Sequence, residues 1–218
     1  MRTLKALAAL LTYPEPALIE ALPEIRALVA AEKRIGCDAQ ARIGALIDEL
    51  SAADPYAAQE KYVDLFDRGR RTSLHLFEHV HGDARDRGPA MVDLRALYAR
   101  HGMELQANEL PDYLPAVLEY LSTRPYEEVQ DMLGDCAHVL RAIGEALAGR
   151  RSRYSAVFGA LLQVAGEPAL DERNGPAAAQ PEDASLDEEW TDAPVVFGPG
   201  CTDAQTKPQV VRFMNRPR

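Results

Sequence analysis

From Leu4 to Leu162 the apolar residues return at three- and four-residue spacing almost without a break. That period belongs to helices whose one face is buried. Leu4, Leu7, Ala8 and Leu11 share a first helical face. Leu18, Leu22, Ile25, Leu28 and Val29 form a second stripe, and Ile43, Leu46, Ile47 and Leu50 a third. Further stripes are Met91, Leu94, Ala96, Leu97 and Tyr98, and then Tyr154, Val157, Phe158, Leu161 and Leu162. No segment alternates apolar and polar residues as a half-buried strand does, and no Asn-Gly or Asp-Gly pair joins two apolar runs. Aromatics make up only 6% of the chain, and alanine and leucine are plentiful, which favours helix over sheet. The expected fold class is all-α, a single multi-helix bundle-like domain over residues 1–166.

Local signals set the expected helix ends. Asp54-Pro55 reads as N-cap and first helical residue of a helix carrying Tyr62, Val63 and Phe66. His101-Gly102 reads as a helix stop. Asp112 to Leu121 reads as a helix capped by Asp112, with Pro115 in its first turn where a missing N–H costs little. Thr123-Arg124-Pro125 opens what reads as one long helix through Val129, Met132, Leu133, Cys136, Val139, Leu140 and Ile143. Ser152 is the expected cap of the last helix.

After Gly166 the composition changes. Residues 167–218 hold seven of the fifteen prolines and a cluster of acids from Glu182 to Glu189. Such a segment buries too little apolar surface to offset its ordering entropy, so a flexible acidic, Pro-rich tail is expected. Trp190 to Phe197 carries the one tryptophan with Val195, Val196 and Phe197. Docking of that stretch and plain disorder account for it equally.

Charge narrows the partners. The formal net charge is −10, a balance that repels nucleic-acid phosphates and anionic headgroups and suits a basic peptide. Cys37, Cys136 and Cys201 are far apart and odd in number, which argues against a disulfide framework and for a reducing compartment. The first residues are not read as a leader: Lys5 interrupts the apolar run, Tyr13-Pro14 follows, and no small-x-small cleavage site is present. No run approaches the roughly 18 apolar residues of a membrane span. A cytoplasmic protein is expected, without membrane insertion.

Residues 60–88, EKYVDLFDRGRRTSLHLFEHVHGDARDRG, offer three chemistries. His75-Leu76-Phe77-Glu78-His79 matches H-x-x-E-H, the inverted zincin pattern, with Glu145 as the nearest third ligand on a later helix. A zinc-dependent hydrolase is therefore the alternative function. The short motif matches by chance easily, and Leu74, Leu76, Phe77 and Val80 crowd it, so hydrogen-bonded, half-buried histidines are the plainer reading. Arg68, Arg70, Arg71, Arg85 and Arg87 with three glycines suit a phosphate. Asp64, Asp67, Asp83 and Asp86 are interleaved with them, so a structural loop of Arg–Asp pairs is the better account of Arg68, Arg70, Asp83, Arg85, Asp86 and Arg87. The third chemistry is a peptide groove of Tyr62, Leu65, Phe66 and Phe77 rimmed by Asp64, Glu78, Glu109 and Asp112. A plain bundle core explains the same aromatics. There is no G-x-S-x-G, Walker A or G-x-G-x-x-G pattern.

The run EKYVDLFDRGRRTSLHLFEHVHGDARDRGPAMVDLRALY, the later ELPDYLPAVLEYL, the early LLTYP and the tail DEEWTDAPVVFGPGC together resemble the delta-subunit family of respiratory nitrate reductases. These are molybdenum-cofactor assembly chaperones within the redox-enzyme maturation chaperones. The resemblance covers nearly the whole chain. It implies an all-α binding protein, not an enzyme, with no catalytic residue, cofactor or metal of its own. The implied partner is the N-terminal segment of the apo catalytic (alpha) subunit of nitrate reductase, held competent for insertion of the molybdenum cofactor, with cofactor-delivery proteins as a further class. The family's acidic-proline-acidic signature stands here as Glu109-Leu110-Pro111-Asp112-Tyr113, with tyrosine where the wider group has histidine. Joined to the groove reading, this makes Tyr62, Leu65, Phe66, His75, Phe77, Glu78, His79, Glu109, Pro111, Asp112 and Tyr113 the expected partner-binding residues.

Overall fold

The last helix of the domain organises the rest. Its sequence, SAVFGALLQVA, is apolar apart from Ser155 and the exposed Gln163, and a helix of that kind is stable only when largely surrounded. Val157, Phe158, Leu161, Leu162 and Val164 are fully buried in it. The computed structural model describes residues 1–80, 87–105 and 109–170. Among them are ten α-helices and no strand. In chain order these are α1 (Arg2–Leu10), α2 (Pro16–Glu32), α3 (Cys37–Ala52), α4 (Pro55–Phe66), α5 (Leu76–Val80) and α6 (Arg87–Arg100). They continue with α7 (Leu114–Ser122), α8 (Tyr126–Asp135), α9 (Ala137–Gly149) and α10 (Ser155–Ala165), and a 3-10 turn, Arg70–Thr72, lies between α4 and α5. Helix α10 packs against α9, α8, α3 and α1, while α1 also lies along α7 and α2.

The expected stripes are the buried ones. Leu4, Leu7, Leu10 and Leu11 are inaccessible, as are Leu22, Leu46, Leu140 and Ile143. Asp54 caps α4 as its sequence implies, accepting from the amides of Tyr56 and Ala57 ahead of Pro55. Helix α6 ends at Arg100, and Gly102 takes the left-handed φ of 76° that glycine tolerates best. Helix α10 ends on Gly166 in the same region, at φ 81°. Beyond it Leu170 packs on the core, and Arg141 donates to the carbonyls of Pro168 and Ala169. The tail stretch Trp190 to Phe197 lies outside the described residues, as does Cys201.

Four expectations change. The long helix predicted through Cys136 is two, α8 and α9, because Cys136 turns out of helical geometry at φ −99° and ψ 9°. Its thiol sits over the Met132 carbonyl at 3.2 Å, and burial pushes its pKa up to about 11. Helix α7 starts at Leu114, not Asp112, with Tyr113 as its N-cap. Ser152 stands three residues ahead of α10 and orders the preceding turn, its carbonyl accepting from the Ser155 amide at 3.2 Å. In α6 only Tyr98 of the expected stripe is fully buried; Leu94 and Leu97 are half-buried and Ala96 is exposed.

Among the described residues no helix is long and apolar enough to cross a membrane. The open amides at the start of α1 are satisfied from a distance. The Glu32 carboxylate, at the end of α2, accepts from the backbone N–H of Arg2 and Thr3 and from the Thr3 hydroxyl, each at 2.7 Å. Burial alone would raise this carboxyl, but the Thr3 and Arg2 donors outweigh it and hold the pKa below its ordinary value. Glu32 thus does the work of a helix cap. Glu32→Ala is expected to lower the unfolding free energy by about 1 kcal/mol, measured by urea denaturation, with Glu32→Gln closer to the parent.

Candidate functional site

Leu74 to Leu76 and Asp112 to Leu114 run antiparallel for one short bridge. The Leu114 amide donates to the Leu74 carbonyl at 2.8 Å, and the Leu76 amide to the Asp112 carbonyl at 3.1 Å. This bridge joins the two motif segments that the sequence separates by almost forty residues. The Asp112 side chain completes the joint. It is inaccessible to solvent, with one oxygen 3.1 Å from the Phe77 amide and the other 3.3 Å from His75 Nδ1. A buried carboxylate is costly unless donors surround it, and these two are its donors. Asp112 therefore caps α5 across the bridge rather than its own helix, which corrects the expected N-cap.

Its neighbours are pinned as firmly. Tyr98, fully buried on α6, donates its hydroxyl to the Pro111 carbonyl at 2.8 Å. Tyr62 on α4 donates to the Leu11 carbonyl at 2.8 Å, and its oxygen lies 3.2 Å from the Tyr113 hydroxyl. Since Tyr62 spends its one proton on Leu11, Tyr113 is the donor between them. Burial pushes both phenols above the ordinary tyrosine range. Pro111, Asp112 and Tyr113 are thus tied in succession to α6, to the α5 entry and to α4.

The H-x-x-E-H residues do not converge. His75 precedes α5, so it and His79 do not share one helical face. His75 faces Asp112; His79 Nε2 lies 2.9 Å from the Ser73 carbonyl; Glu78 accepts from the Ser73 hydroxyl at 2.6 Å and faces Arg87 at 3.6 Å. Among the described residues no three His, Cys, Asp or Glu side chains are placed to hold a metal. The zinc-hydrolase alternative has no geometric support in this arrangement. Nearby His81 lies outside the described residues.

A cleft of about 500 Å³ opens beside the joint, lined by Phe66, Asp67, Arg68, Ser73, His75 and Glu78 together with Gly69, Arg70 and Arg87. Of the expected Arg–Asp loop, Arg68 pairs with Asp64 at 3.0 Å. Arg87 turns to Glu78 instead of an aspartate. Arg70 lies in the 3-10 turn, and Asp83, Arg85 and Asp86 lie outside the described residues.

The expected groove residues divide by depth. Tyr62, Leu65 and Phe66 are buried, with the Tyr62 and Phe66 rings packed on each other at 4.9 Å and against Tyr154. Pro111 and Asp112 are buried too. His75, Phe77, Glu78, His79 and Tyr113 are half-buried, and Glu109 is exposed. Sequence reading missed Ser73 and Tyr98. Ser73 stands two residues before His75, a spacing that suits a turn-forming serine. Nothing in the local pattern around Tyr98 marks its bond to Pro111.

A helical domain whose motif residues tie three separate segments into one surface, without converging on a metal, defines a structural class rather than a chemistry. The profile of the nitrate reductase delta subunit matches residues 32–160 of this chain. The nitrate reductase molybdenum cofactor assembly chaperone NarJ of Escherichia coli (strain K12) is 40% identical over 98% of this chain and 93% of its own length. The probable assembly chaperone NarW of the same organism is 41% identical over 76% of the chain and 69% of its length. The probable chaperone NarJ of Bacillus subtilis (strain 168) is 32% identical over 74% and 85%. The chain belongs to the nitrate reductase delta subunit family.

The joint carries a pH signature. The hydrogen bond to Asp112 raises the His75 pKa above its ordinary 6.5, against the opposing effect of burial. A raised folded-state value means that this contribution is complete below pH 6.5 and fades as pH rises through the raised value. Unfolding free energy should therefore decline across that window, and Asp112→Asn should flatten the decline and bring the His75 pKa, followed by NMR, back toward the ordinary value. Asp112→Ala, which also removes the carboxylate that accepts from the Phe77 amide, should cost about 2 kcal/mol or more at any pH.

Proposed function

We propose that this chain is an assembly chaperone of respiratory nitrate reductase. In this reading it binds the N-terminal region of the apo catalytic subunit, keeps it competent to receive the molybdenum cofactor, and aids assembly of the membrane complex from the cytoplasmic side. The observation that carries the reading is the 40% identity, over nearly the full length of both chains, to a protein named as a nitrate reductase molybdenum cofactor assembly chaperone. The molybdenum cofactor is then cargo for the partner, and the chaperone does its work by binding rather than by catalysis.

The chemistry of the joint supports this reading. His75, Phe77 and Tyr113 offer half-buried rings, with the inaccessible Tyr62, Leu65 and Phe66 as rigid backing. Such a surface takes the apolar side chains of an amphipathic segment with little rearrangement. In this reading exposed Glu109 and half-buried Glu78 would meet basic residues of the segment. Glu78, already held by Ser73 and Arg87, is a fixed rather than a searching charge. The net charge of −10 adds long-range attraction for a basic partner, which raises the on-rate more than the final affinity. Asp112, inaccessible, serves by shaping the surface.

Isothermal calorimetry of the full chain with a synthetic peptide of the catalytic subunit's N-terminus tests the reading. A Kd of about 1 μM is expected, weakening with salt, and a scrambled peptide should stay silent. No heat from the native peptide at high micromolar concentration, with no capture of the apo subunit either, would contradict it.

A further inference from the structure

The early LLTYP segment runs from the end of α1 into the loop before α2. Its tyrosine sits in the loop between α1 and α2, fixed on both sides. The Glu15 amide turns back onto the Tyr13 carbonyl at 2.8 Å, and Gln59 on α4 donates to the Pro14 carbonyl at 3.2 Å. Pro14 is buried, while Tyr13 remains 41% exposed. The Tyr13 ring meets Tyr62 edge-on, centroids 5.7 Å apart at 88°. Tyr62 meets the Tyr113 hydroxyl at 3.2 Å, and the Tyr113 ring lies 5.4 Å from His75. A chain of contacts thus links Tyr13, Tyr62, Tyr113 and His75, by ring packing at its two ends and by the hydroxyl pair between Tyr62 and Tyr113, and ends at the Asp112 joint.

From this geometry we infer that Tyr13, Tyr113 and His75 form one aromatic docking strip, and that its occupant is an amphipathic segment with apolar and basic side chains. The inference rests on the proposed function and names the residues by which it acts. Charge identifies the occupant. Asp67, exposed at the end of α4, lines the same cleft as His75 and helps burial to raise the Tyr62 and Tyr113 phenols, and exposed Glu109 helps raise that of Tyr113. Glu15, exposed, follows Tyr13 in its own loop. Three arginines line the cleft on the His75 side: Arg68 pairs with Asp64 at 3.0 Å, Arg87 with Glu78 at 3.6 Å, and Arg70 lies in the 3-10 turn, so the carboxylates favour a basic side chain at the Tyr13–Tyr113 end of the strip. Aromatic rings half-sunk in a rigid backing and flanked by carboxylates are what a peptide with leucine-like and lysine-like side chains recognises. Tyrosine supplies such contact area at low entropic cost, which is why it is frequent among residues that dominate interfaces.

The test is calorimetry of the full-length chain with the N-terminal peptide of the catalytic subunit, alongside capture of the whole apo subunit. Tyr13→Ala should weaken peptide affinity by about tenfold or more while its thermal transition stays cooperative. Tyr13→Phe keeps the ring and should bind as the parent does. Val92→Ala, at a 67% exposed apolar position on α6, should leave binding unchanged. If the parent binds and Tyr13→Ala binds equally well, or if Val92→Ala loses as much, the strip is overturned and the chaperone function stands. If the parent binds neither peptide nor apo subunit, the proposed function falls and takes the strip with it.

Discussion

The arrangement at the candidate site depends on one buried carboxylate. Asp112 is inaccessible to water and has two protein donors, the Phe77 amide and His75. Placing a carboxylate there is unfavourable unless both donors are present. The two sides of the joint therefore form together. The short bridge between Leu74–Leu76 and Asp112–Leu114 aligns the donors, and the Tyr98 and Tyr62–Tyr113 bonds hold the segment that carries the acid. A helix of five residues such as α5 has little stability alone. Its position is set by this distant carboxylate and by Ser73.

That dependence explains why a five-residue metal motif is an insufficient guide. His75, Glu78 and His79 have the right spacing for zinc on a helix, but the chain starts the helix one residue too late for His75 to join it. His75 then meets Asp112, while Glu78 and His79 both turn to Ser73, one to its hydroxyl and the other to its carbonyl. Histidine and glutamate are as useful for fastening irregular backbone as for ligating metal, and sequence spacing does not distinguish the two uses. The proline-flanked acids differ likewise. Glu109 faces solvent, whereas Asp112 is a clasp.

Much of the fold was legible because α10 and the stripes of α1, α2 and α3 depend on burial, which writes its period directly into the chain. The Asp54-Pro55 start of α4 was legible because capping is local. The break at Cys136 was not. The apolar spacing from Met132 through Leu133 and Cys136 to Val139 runs on across it, although the backbone there leaves helical geometry. The destination of the Asp112 carboxylate was hidden for a different reason. An aspartate three residues ahead of a proline, before an apolar run, reads as a local cap, and only the tertiary bridge offers it a competing amide. Of the expected groove residues, Tyr62, Leu65 and Phe66 are core rather than surface, because an aromatic that lines a groove and one that fills a bundle follow the same helical period. Tyr13 was passed over because nothing in the sequence around it shows that α4 lies beside it.

Membership of the nitrate reductase delta subunit family and the geometry of the joint meet in a single claim: three remote segments converge to form one partner-binding face. Hydrogen-exchange mass spectrometry of the full chain, alone and with the apo catalytic subunit, examines that claim most directly. The account predicts slowed exchange in the Tyr13 loop, around His75 and Phe77, and from Glu109 to Tyr113, all in the same complex. Protection confined to α2 and α3, or to residues beyond Leu170, would contradict it.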